Sequence, residues 1–216
     1  MLTLSAVAAA PALAPRFARA ASAALASADA DPTLWYVTRA AAVSAYILLA
    51  LSTHLGIVRS LGAQIGERAS WVLDELHQFI ALLAAAFVVL HLVSLLLDPF
   101  MAFTPANILL PLNQPYRQFA TDVGVLGFYA LSVVLVSSWL RRRISRRLWR
   151  GLHYLGFATF FLVTLHGALA GADSGQAWMR ALYFGFGSSA LFLVLMRLIM
   201  RPEGTPESAS AHGTRR

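Results

Sequence analysis

Cysteine is missing from the 216 residues, lysine is missing too, and charged side chains of either sign make up only 12% of the chain. Without cysteine there are no disulfides, no iron–sulfur clusters, no thiolate-ligated or covalently attached haem, and no cysteine nucleophile. Metal chemistry must then rest on His, Met, Asp, Glu or backbone ligands. The scarcity of charge excludes a water-soluble enzyme, since soluble domains carry roughly 25% charged and roughly 45–50% apolar residues. Here 58% of residues are hydrophobic and the mean hydropathy is +0.65. The expected class is an all-α integral membrane helix bundle, because a helix satisfies its own backbone in lipid.

Five apolar stretches approach the roughly 20 residues that span a bilayer. They run over about 34–58, 77–97, 123–140, 151–172 and 181–200, and predict five transmembrane helices. Residues 1–33 form an Ala-rich leader broken by Pro11, Pro15, Arg16 and Arg19. Its apolar core resembles a signal peptide but has no basic residue in front, so a loose or interfacial leader is expected. Residues 34–200 form the membrane domain. The Gly-, Ser- and Pro-rich residues 201–216 are expected to be a disordered cytoplasmic tail. The connection between spans two and three is long, and its apolar patch at 108–112 is expected on the membrane surface.

All basic residues are arginine, and their placement gives an orientation. Arg141, Arg142, Arg143, Arg146, Arg147 and Arg150 crowd one loop. Arg59, Arg68, Arg197, Arg201, Arg215 and Arg216 share its side if the spans alternate. The positive-inside rule then places the N-terminus outside and the C-terminus in the cytoplasm of a cell's inner (plasma) membrane. This explains the net charge of +7 without nucleic acid.

Four of six histidines form a pattern. His77 and His91 lie fourteen residues apart on span two, and His153 and His166 thirteen apart on span four. At 1.5 Å per residue each pair is separated by about 20 Å in depth. Two helices thus offer His at two matched levels, as bis-histidine haem ligation requires of facing helices. Fourteen residues return to within about 40° of one helix face, whereas thirteen fall about 140° short. A bend, a local change of winding or oblique ligation must reconcile His153 with His166.

The spacing His77-x13-His91 with His153-x12-His166, together with the run from Arg146 through Trp149 to Tyr154, resembles the ferric reductase-like transmembrane domain. That superfamily includes ferric reductases, NADPH oxidases and the haem-binding subunit of bacterial methionine sulfoxide reductase. The resemblance implies two b-type haems, the inner on His77 and His153 and the outer on His91 and His166, in a membrane electron-transfer subunit. In the sulfoxide reductase subunit the position of His77 is not reliably His, so its presence favours two haems over the single-haem alternative. Larger members carry their own flavin and nicotinamide module. Here the donor is expected to be a separate cytoplasmic flavoprotein reductase or a quinol, with flavin or quinone at the inner mouth and an unspecified acceptor outside.

Other residues carry weaker expectations. Arg39 either pairs with an outer haem propionate or snorkels to the interface. The Arg141–Arg150 cluster fixes topology, meets anionic lipid, or docks an acidic reductase. His54 is a helix-contact residue, and Asp74 and Glu75 are helix-start charges or proton relays. Gly167 with Gly171, and Gly185 with Gly187, are expected to serve helix packing. Two rival classes stay open: a transporter or proton conductor whose histidines relay protons, and a haem-free assembly subunit.

Overall fold

The computed structural model describes residues 32–61, 67–112 and 114–199, so the expected leader up to residue 31 and the expected tail lie outside the described residues. It is an all-α assembly, with no strand among those residues. The helices are α1 (Thr33–Leu61), α2 (Glu67–Leu97), α3 (Pro105–Leu109), α4 (Gln118–Trp139), α5 (Arg146–His153), α6 (Leu155–Ala170) and α7 (Ala177–Ile199). Five spans are long and apolar enough to cross a membrane: α1, α2, α4, the α5–α6 rod and α7.

Two helices begin earlier than the apolar runs indicate. α2 starts at Glu67, ten residues before His77, and α4 starts at Gln118 rather than near 123. Hydropathy registers only the part of a helix that lies in hydrocarbon, and both early turns carry polar side chains. Asp74 and Glu75 therefore lie within α2 rather than at its start, and Asp74 pairs with Arg59 of α1 at 2.8 Å. In the long connection Thr104 caps α3 with a capping box to Asn107. Leu109, Leu110 and Leu112 stay exposed around its end, as an interfacial patch would.

The fourth span is two helices in series. Ser145 caps α5, its hydroxyl accepting from the Leu148 N–H at 3.2 Å. The break falls at Tyr154, where the Phe157 N–H donates to the Tyr154 carbonyl in a tightened three-residue turn. Such a turn adds roughly 20° per residue over α-helical winding. It therefore recovers part of the angular shortfall between His153 and His166.

α1 is the central rod. Ala41, Ala45 and Ala50 are buried along it, and Ala84 of α2 is buried against it, so small side chains let backbones approach where lipid gives no hydrophobic drive. Tyr46, Ala50 and Ile57 of α1 form one core with Phe160 of α6 and with Met179 and Ala190 of α7. Leu49, Ala84 and Leu131 form a second core joining α1, α2 and α4. The most extensive packing is α1 on α2 and α4 on α6, whereas the backbones of α2 and the α5–α6 rod stay further apart. The histidine-bearing helices α2 and α6 thus belong to different packed pairs.

The glycine expectations divide. A β-carbon on Gly167 would stand 2.7 Å from the Tyr183 hydroxyl of α7, so this glycine does permit close packing. Gly171 does not: it caps α6, its N–H bonded to the Gly167 carbonyl at 2.9 Å. Gly185 and Gly187 would meet nothing within 4 Å, which corrects their reading as packing residues.

Candidate haem-binding site

Each histidine of α2 is strapped to α1 through Nδ1. His77 Nδ1 lies 2.9 Å from the Ser52 carbonyl and 3.2 Å from the Ser52 hydroxyl. His91 Nδ1 lies 3.1 Å from the Thr38 carbonyl. Thr38 and Ser52 are fourteen residues apart, like the histidines, so two antiparallel helices hold both imidazoles in one register. Thr38 also donates its hydroxyl to Ser94 at 2.8 Å, and Ser94 donates to the His91 carbonyl at 3.0 Å.

The other pair repeats the device once. His166 Nδ1 of α6 lies 2.7 Å from the Ala120 carbonyl of α4. A carbonyl only accepts, so in all three cases Nδ1 carries the proton and Nε2 keeps its lone pair. Metal-binding histidines almost always have their second nitrogen held in this way.

The inner two rings meet as a couple. His77 and His153 have ring centroids 6.1 Å apart with planes at 73°. Two metal–imidazole bonds of about 2 Å, with half a ring at each end, span roughly 6 Å. Beside the inner couple, Trp149 stacks on His153 with centroids 5.1 Å apart. Both the Trp149 indole nitrogen and His153 Nδ1 are buried without a hydrogen-bond partner. Burying unpaired polar atoms is costly, so the inner couple has polar needs the protein alone does not meet. Among the described residues no three His or carboxylate side chains gather as a metal cluster. Imidazoles are among the ligands by which proteins hold haem iron, and these residues would be able to supply them in pairs.

Arg39 has a protein partner that neither expectation named. Its guanidinium forms a two-pronged ion pair with Asp173 in the α6–α7 connection, Nε lying 3.1 Å from Oδ2, and lies 4.1 Å over the Trp35 ring. His54 holds the Ala50 carbonyl and the Ser189 hydroxyl of α7, each at 2.7 Å, as a helix-contact residue would. Sequence reasoning missed Ser52, Thr38, Ala120 and Gly124. The matching fourteen-residue spacing of Thr38 and Ser52 was a usable signal, as was the small-x3-small pattern of Ala120 and Gly124.

A family model described as "Ferric reductase like transmembrane component" matches residues 37–165, more than half of the chain. No curated protein and no solved structure gives a match.

Proposed function

The chain belongs to the ferric reductase-like transmembrane family, and from that premise we propose that it is the membrane subunit of an oxidoreductase, carrying electrons across the bilayer with two b-type haems. His77 and His153 would hold the inner haem, and His91 and His166 the outer one. The observation that carries this reading is the set of three Nδ1–carbonyl straps, which leave Nε2 of His77, His91 and His166 available at two depths.

Bound in such sites, b-type haem supplies reversible one-electron exchange at iron. The protein's own part is to hold and to insulate. Ser52, Thr38 and Ala120 fix ring orientation, and the straps raise the donor strength of the opposite nitrogen. The surrounding apolar helices keep water away, which tunes the potential through burial. Arg39, near the outer couple, is proposed to reach an outer propionate with donors that Asp173 leaves free. The membrane domain would extend over residues 34–200, with the Arg-rich end in the cytoplasm of the inner membrane. Electrons would enter there from a flavoprotein or quinol, and leave to an acceptor outside.

The test is an absorption spectrum of purified, haem-replete protein with a haem-to-chain ratio. Two haems per chain, falling to one in H91A and in H153A, is the expected result. A ratio of one in the unaltered protein would assign the chain to the single-haem, sulfoxide reductase-like arrangement. A colourless preparation would leave the proton-relay rival standing.

A further inference from the structure

Two cavities open at the Arg-rich end of the bundle and share one residue, Tyr154. One, of about 180 Å³, is a largely apolar slot lined by Ile57, Phe157, Val194 and Leu198, with Tyr154 and Arg197 at its mouth. The other, of about 460 Å³, is lined by Arg146, Arg147, Arg150, Gly151 and Tyr154. Tyr154 lines both cavities, with Arg197 beside it in the slot and Arg150 beside it in the basin, so it joins the two. None of the described residues lining either cavity is acidic. The slot is a cleft where α1, α6 and α7 meet, its lining drawn from all three helices.

We propose that this cleft is a binding site for one anionic glycerophospholipid, its phosphate between Arg150 and Arg197 beside the Tyr154 hydroxyl and an acyl chain in the slot. The inference needs only that the chain spans a membrane and is independent of the haem assignment. Guanidinium groups match phosphate oxygens with paired, charge-assisted hydrogen bonds. The positive end of a membrane protein faces the leaflet in which anionic headgroups are attracted to it. An acidic protein partner would satisfy the arginines but would leave the slot empty. A lipid fills both, and it stands at Tyr154, where the fourth span breaks immediately after His153.

The experiment is native mass spectrometry of the full chain in mild detergent, titrated with phosphatidylglycerol or with phosphatidylcholine of the same acyl chains. One phosphatidylglycerol should be retained about tenfold more tightly than phosphatidylcholine. R150Q/R197Q should abolish that preference, and R142Q/R143Q, which removes equal charge from the exposed turn, should keep it. Leu198→Trp fills the slot without altering charge and should weaken retention, so the test survives even if R150Q/R197Q fails to fold. Equal loss in the two double-arginine variants would mean diffuse attraction and would overturn the proposal. So would displacement of the lipid by inorganic phosphate, or full retention in Leu198→Trp.

Discussion

Gly124 of α4 leaves the space in which the ring of His166 lies. A β-carbon at Gly124 would stand 2.6 Å from Nδ1 and 2.7 Å from Cε1 of that ring, which the Ala120 carbonyl one turn earlier already holds. G124A must therefore push a restrained imidazole, at an overpacking cost of about 1–3 kcal/mol. G167A makes an equally short contact, but with the far end of the side chain of Tyr183, which is not one of the four histidines. The expected outcome is a lowered melting temperature and a shifted outer-haem potential for G124A, with a smaller stability loss and no such shift for G167A. Redox titration alongside thermal unfolding reads both. An unaltered potential in G124A would detach Gly124 from the site.

The two couples should behave as separate units. Ligands to one iron act together, so removing the second adds little once the first has gone. H77A/H153A should retain one haem per chain, as either single variant does. H77A/H91A crosses the storeys and should retain none. A haem assay after purification distinguishes these outcomes. Equal loss in the two double variants would show that the histidines are not paired as assigned.

Much of this arrangement was legible in the chain. The apolar runs gave five spans because lipid penalises every charge within them. The histidines stood out because intramembrane ionisable groups are rare. The sequence did not reveal the early start of α2, since its first turns hold Glu67 and Arg68 and escape a hydropathy window. The break at Tyr154 was anticipated only as one of three remedies for the thirteen-residue spacing, because winding depends on tertiary packing. The partner of Arg39 was hidden for a plainer reason. Asp173 is 134 residues away, and no local pattern encodes such a pair.

That ion pair gives a separable prediction. Arg39 and Asp173 are partly buried, with side-chain exposures of 30% and 14%, so solvent screens the pair only in part. D173N and R39Q should each cost about 1–2 kcal/mol, below the 3–5 kcal/mol of a fully buried pair. If Arg39 also meets an outer propionate, R39Q should shift the outer-haem potential and D173N should not. Equal shifts would confine Arg39 to anchoring the α6–α7 connection.

Trp149 offers a test at the inner couple in which two states of the protein should respond with opposite signs. Its indole N–H is buried without an acceptor while its ring stacks on His153. W149F keeps an aromatic face and deletes the orphaned donor. In haem-free protein this should raise stability, because leaving a buried donor unsatisfied costs about 1–3 kcal/mol. If the bound group supplies that donor's acceptor in haem-loaded protein, W149F should weaken inner-haem retention about tenfold. W149A, which also loses the stacking surface, should lower stability in both states. Thermal unfolding of the two forms, with haem dissociation followed by competition with a haem scavenger, measures each sign independently. A W149F variant that gains stability in both states would mean that the indole nitrogen serves no ligand, and that the polar needs of the inner end rest on His153 alone.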